Sequence, residues 1–151
     1  MNRESLEVLF GANFHVIQVN TNGITHEDSM VQPRPAGNCI NWVLGHIVVH
    51  RNSILRLVGQ SPIWDEDDAA PYARGSNPLC DPAKAQPVSK ILDDLAQSQE
   101  TLIGALNSMG DEEMKRDDLG EKLTWLSFHE TYHAGQIGLL RRIAGKEGMI
   151  R

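Results

Sequence analysis

The chain carries six histidines in 151 residues, and four of them form two pairs spaced by four: His46 with His50, and His129 with His133. On a helix that spacing sets both side chains on one face a turn apart, where two imidazole nitrogens can point at one ion. Chance would supply about 0.24 such pairs in a chain this rich in histidine, so one pair says little and two say considerably more. Imidazoles buried together are costly unless each ring nitrogen finds a partner, and a cation answers several of those demands at once. The alternative is a set of core histidines satisfied by backbone groups or by Gln136.

The neighbouring residues narrow the choice. His129 and His133 share a stripe with Trp125, Leu126, Tyr132, Ile137 and Leu140, the side expected to enter the core, and His46 shares its face with Trp42, Val43, Val49 and Leu57. The expected metal ligands are therefore His46, His129 and His133, because three nitrogens suffice for a site that keeps an open position. His50 reads as a fourth ligand, a hydrogen-bond donor behind the ligands, or a partly exposed helix residue, and stays outside the set. His15 and His26 have no partner at helical spacing and read as surface residues.

The string His129-Glu-Thr-Tyr-His133 also matches H-E-x-x-H, in which two histidines bind zinc and the glutamate is the general base. The extended form wants a glycine and a third histidine where this chain has Gln136 and Leu139. The form with a downstream glutamate ligand has only Glu147, near the C-terminus, and no upstream sheet to shape a peptide cleft. Glu130 is kept as a catalytic candidate, as base or as support for a ligand, although it lies about 100° around the helix from His129.

Four helical segments must position these groups. Leu6, Phe10, Phe14 and Ile17 recur at helical spacing and predict a helix near residues 3 to 22. The Pro33 to Asn38 stretch breaks the pattern, and a second helix then runs through Trp42 to about Val58, stopping at Gly59. Leu44, Ile47, Val48, Ile54, Leu55 and Val58 make it apolar nearly all round, which predicts a central or dimer-facing helix. Residues 60 to 87 hold five of the seven prolines and the acidic run Asp65 to Asp68, a composition that predicts a long loop serving as lid or wall over a site. A third helix is predicted from about 83 to 109, and a fourth from about Leu123 to Ile143, closed by Gly145 with Arg141 and Arg142 near its C-terminal dipole. No stretch alternates convincingly like a strand.

Composition excludes several classes. The net charge of −6 argues against binding a phosphate backbone, which needs a basic surface. No apolar run is long enough to span a membrane and no leader is recognisable, so the chain reads as one soluble cytoplasmic domain over residues 1 to 151. Cys39 and Cys80 are far apart, in no metal-type spacing, and read as reduced thiols. The apolar surplus on the second helix predicts a homodimer.

Trp42-Val-Leu-Gly-His46 together with His129-Glu-Thr-Tyr-His133-Ala-Gly-Gln136-Ile137 resembles the DinB-like (YfiT-like) superfamily, over nearly the whole chain in element order. The resemblance implies an all-α, up-up-down-down four-helix bundle in which His46, His129 and His133 bind one divalent ion, zinc or nickel. It also implies that Gly135 lets helices approach closely and that Gln136 orients a ligand. Members with known activity are similar to thiol-dependent transferases and maleylpyruvate isomerase. A low-molecular-weight thiol, and neither Cys39 nor Cys80, is therefore the implied co-substrate, acting with a small-molecule substrate. Trp64, Asp65 to Asp68, Tyr72 and Arg74 match no recognition pattern and are expected on the surface.

Overall fold

A computed structural model describes residues 2–150 of the chain and is all-helical over them. Four long helices dominate: α1 (Arg3–Thr21), α2 (Ile40–Leu57), α3 (Val88–Ser108) and α4 (Leu119–Ile143). Single α-turns at His26–Ser29, Glu66–Ala69 and Asp111–Lys115 fill the connections, with 3₁₀ turns at Ala70–Tyr72, Pro82–Lys84 and Arg116–Asp118.

Local chemistry sets the boundaries. The Asn2 side chain accepts from the Ser5 amide at 3.0 Å and starts α1. At its other end Arg141 reaches across from α4, and Nη1 donates to the Asn20 and Asn22 carbonyls at 3.0 and 2.6 Å. Gly59, at φ +74°, supplies the left-handed residue that ends α2. The start of α3 lies at Val88, five residues later than the periodicity predicts. Pro82–Lys84 closes its own turn on the Asp81 side chain, and Pro87 has no N–H to continue a helix through it. Conversely α4 begins at Leu119, four residues earlier than predicted, immediately after Asp117 and Asp118 take φ of 52° and 58°.

In the bundle α1 packs on α4, α4 on α2, α2 on α3 and α3 on α1. The histidine-bearing helices α2 and α4 are thus direct neighbours. One apolar cluster, with Leu6, Phe10, Ile54, Leu55, Leu102, Leu106 and Leu123, fills one end of the bundle. A larger one, with Ile17, Trp42, Leu44, Ile47, Val48, Ile91, Leu95 and Ile137, fills the other. All six apolar residues that made α2 look over-supplied are buried within this one chain. The surplus expected to serve a dimer is core instead.

The 60–87 segment departs further from expectation. Trp64 and Tyr72, expected on the surface, are each only 1% exposed. Asn52 on α2 holds the chain on either side of Trp64, accepting from the Ile63 amide at 2.8 Å and donating to the Trp64 carbonyl at 2.9 Å. The Tyr72 hydroxyl donates to Asn41 at 3.0 Å and accepts from the Gln86 amide at 2.8 Å. Its ring lies flat against Gly45, where any Cβ would overlap it. Composition reads such a segment as loop because its prolines and acids resist long helices, yet its two large aromatics carry enough apolar area to pull it onto α2.

The face of α4 is also rotated from the one predicted. Leu123, Ser127, Glu130, His133, Ala134, Ile137 and Leu140 point inward. Trp125 is 67% and Tyr132 59% exposed, in line with Phe128, Leu139 and Ile143 on the outer side. Leu57, expected on the buried face of α2, is likewise exposed. The inner face of α4 is partly polar, its groups satisfied by other helices: Asn13 Nδ2 donates to the Ser127 carbonyl at 3.0 Å, and Arg51 pairs with Glu130. Apolar periodicity cannot see a face buried by polar partners.

Candidate metal centre

His46 sits on the first half of α2 and His129 and His133 on either side of the midpoint of α4, and packing of the two helices brings the three rings together. One ligand nitrogen from each lies within 4.8 Å of the other two. The His46 and His133 ring centroids are 4.9 Å apart, those of His46 and His129 5.4 Å. Between His129 Nε2 and His133 Nε2 the separation is 3.1 Å.

The outer nitrogens of two rings are held by hydrogen bonds that decide which nitrogen is free. His46 Nδ1 donates to the Tyr72 carbonyl at 2.8 Å. His133 Nδ1 donates to Gln136 Oε1 at 2.7 Å, while Gln136 Nε2 donates to the Tyr132 hydroxyl at 3.0 Å, which fixes the amide's orientation. With Nδ1 protonated in both, each Nε2 presents its lone pair inward. Trp42 stacks on His46 with centroids 4.6 Å apart at 14°, so ring rotation is blocked as well.

Burial keeps these lone pairs available. His133 is pushed down to about 4, chiefly by burial and against the pull of its bond to Gln136. Burial also lowers His46, and burial together with His46 and Arg74 lowers His129. All three are therefore neutral near pH 7, the form that binds a metal.

This donor set fits a divalent cation. Nitrogens at about 2.0–2.1 Å from a tetrahedral zinc lie about 3.3–3.4 Å apart, close to the 3.1 Å between His129 Nε2 and His133 Nε2. His129 Nδ1 is buried with no hydrogen-bond partner, so its ring is oriented by packing alone. His50 lies behind it, with centroids 3.7 Å apart at 30°. His50 is pushed down to about 3, by burial first and then by the charges of the other three histidines. It falls outside the group whose nitrogens converge.

Glu130 is placed differently from the histidines that flank it in sequence. Its two oxygens accept from Arg51 Nε at 2.5 Å and Nη2 at 2.7 Å, with both side chains almost fully buried. The Phe10 ring lies 5.0 Å from the guanidinium carbon. The glutamate of the H-E-x-x-H string is thus paired with Arg51 and is not among the groups that converge with the histidines. Gly135, expected to admit a neighbouring helix, has open space where a Cβ would lie, and a Cβ at Gly138 would be in ordinary contact with Asn20. His15 is exposed as expected, while His26 is half-buried and lies 3.2 Å from the Pro82 carbonyl.

Residues that sequence reasoning passed over include Tyr72, Trp42 as a stacking partner, and Gly45. The Tyr72 contact is made by a carbonyl, which no residue type announces, although the glycine immediately before His46 marks a place where something approaches α2 closely.

A family model described as the DinB superfamily matches residues 17–137, which span all three histidines. No curated protein matches the chain.

Proposed function

Because the chain belongs to the DinB superfamily, we propose that it is a metal-dependent enzyme acting on small molecules, with one zinc or nickel ion held by His46, His129 and His133. The observation that carries this reading is the convergence of three neutral imidazoles whose outer nitrogens are already tied back, two by hydrogen bonds and one by packing. One end of the bundle gathers the starts of α1 and α4 with the ends of α2 and α3, and the other end the reverse, which supports an up-down-down-up course in place of the up-up-down-down order expected from the sequence.

When bound, a divalent cation with three nitrogen ligands supplies Lewis acidity that lowers the pKa of a thiol or water at its open position. The reaction class we assign is S-transfer: a low-molecular-weight thiol gives up its proton to solvent water, its sulfur forms a bond to an electrophilic carbon, and the leaving group departs with the electron pair of the bond it breaks. Trp42 and Gln136 keep the imidazoles in register during this step. Glu130 holds α4 against α2 through Arg51, and a role as base would require that pair to open.

We also assign a homodimer, through α4 and not α2. Trp125, Phe128, Tyr132, Leu139 and Ile143 form an uncharged exposed stripe. A two-fold axis near Gly135 would lay Phe128 on the partner's Ile143, and Tyr132 on the partner's Leu139. The open space at Gly135 would let the backbones approach.

The test is metal analysis of protein purified without a histidine tag, followed by a thiol-transfer screen with metal restored. One equivalent of metal, lost in His133→Ala with the helical signal retained, supports the reading. Metal-free protein whose melting temperature is unmoved by zinc or nickel overturns it.

A further inference from the structure

The chain is acidic overall, yet the groups around its histidine cluster are not. Among the described residues no carboxylate forms a hydrogen bond or ion pair with His46, His50, His129 or His133. Neutral imidazoles leave a divalent ion its full charge, so an open position there attracts anions.

A cationic residue, Arg74, lies in the turn that holds His46. The turn from Tyr72 to Ser76 is fixed against His46 at both ends. Tyr72 gives its carbonyl to His46 Nδ1, and Ser76 Oγ accepts from Trp42 Nε1 at 2.9 Å and donates to the Pro71 carbonyl at 2.8 Å. Trp42 in turn stacks on His46. Within the turn the Ser76 amide donates to the Ala73 carbonyl at 3.1 Å, and Gly75 takes φ +83°. Arg74 is the middle residue of this bracket. Two residues span at most about 7 Å, so its backbone is tethered close to the Tyr72 carbonyl that holds His46.

Arg74 is exposed and makes no hydrogen bond or ion pair among the described residues. Of the acids nearest in sequence, Asp68 accepts from Gln86 Nε2 at 2.7 Å, Asp81 accepts from the Ala83 amide, and Glu66 and Asp67 are exposed; none pairs with Arg74. A guanidinium carried on a backbone held beside His46, with no carboxylate paired to it, can take a planar oxyanion through paired N–H donors.

We propose that Arg74 is the anion-binding residue of this site, and that the ligand is a small molecule with two ends: a carboxylate or similar oxyanion held by Arg74, and a donor atom directed at the three imidazoles. This rests on the metal-centre reading and narrows its substrate class to acidic small molecules.

The experiment uses the full chain loaded with cobalt(II), whose absorption reports both metal occupancy and thiol ligation. Thioglycolate, 2-mercaptoethanol and cysteamine are titrated as anionic, neutral and cationic thiols of similar size. Thioglycolate is expected to bind about tenfold or more tightly than 2-mercaptoethanol, with cysteamine weakest. In Arg74→Gln the first two should come within about twofold of each other, while Arg74→Lys keeps part of the preference. Metal stoichiometry and melting temperature of Arg74→Gln should match the parent. Equal affinities in the metal-loaded parent overturn the inference and leave the metal centre standing. So does a preference that survives Arg74→Gln, or an Arg74→Gln variant that loses metal. A parent chain that binds no cobalt overturns both together.

Discussion

His46 Nδ1 is held at 2.8 Å by the backbone carbonyl of Tyr72, so a residue 26 positions away in a connecting segment decides which nitrogen of His46 is free. The Tyr72 ring keeps that carbonyl in place by lying against Gly45, one residue before His46 on α2. The orientation of the ligand therefore depends on a residue with no side chain.

Gly45→Ala puts a methyl group where the Tyr72 ring lies and must displace it. Metal affinity should fall by about 10- to 100-fold, the usual loss when a ligand's hydrogen-bond support is removed, with helical content unchanged. Tyr72→Phe keeps the ring and the carbonyl and loses only the hydroxyl's bonds to Asn41 and Gln86. Its affinity should stay within a few-fold of the parent, at a stability cost of about 1–3 kcal/mol. Competition with a chromophoric chelator measures the affinity of both. Equal affinities in the two variants would disprove the lock.

Gln136→Leu removes the acceptor that fixes the tautomer of His133. A loss of metal affinity of about tenfold or more is expected, whereas Tyr132→Phe, one bond further out, should cost much less. Should both variants bind metal like the parent, Gln136 has no part in holding the ligand.

The Arg51 and Glu130 pair is a stability element. Glu130→Gln leaves a fully buried guanidinium without its counter-charge, and about 3–5 kcal/mol of unfolding free energy should be lost. Replacing both at once, Arg51→Met with Glu130→Leu, should cost less than the sum of the single changes. Denaturant melts of the four proteins give the comparison. A Glu130→Gln protein as stable as the parent but devoid of turnover would instead make Glu130 a catalytic base.

The buried histidines also set an acid limit. His133 and His50 are pushed down to about 4 and about 3, chiefly by burial, from the ordinary 6.5 of an unfolded chain. The folded state thus binds fewer protons than the unfolded one between those values. Their contribution to stability is complete above about pH 6.5 and is lost as pH falls through 6.5 toward 4. Metal-free protein should show a melting temperature that drops over this window. Saturating zinc should raise the melting temperature at neutral pH and lose that effect as acid displaces it. A flat profile from pH 7 to 4 would contradict the assigned burial.

For the α4 stripe, Phe128→Lys places a charge in the centre of the assigned interface without touching the core, since Phe128 is 65% exposed. Light scattering should report a dimer mass for the parent and a monomer mass for the variant, with the melt of the monomer unchanged. A monomeric parent would remove the dimer outright.

Much of this molecule is written in residue spacing. The period of Leu6, Phe10 and Ile17 marks α1, Gly59 marks the end of α2, and two H-x-x-x-H pairs mark the helices that carry the site, because each is a local property of the chain. His46, His129 and His133 could be chosen over His15 and His26 for the same reason. Spacing could not say which face of α4 turns inward, since Trp125 and Tyr132 look like core and Ser127 and Glu130 do not. The choice depended on Asn13 and Arg51, which satisfy those polar groups from other helices. Nor could it show that Tyr72 returns from a proline-rich segment to hold His46. Those contacts form only when the chain closes on itself, and the carbonyl that fixes His46 belongs equally to every residue type.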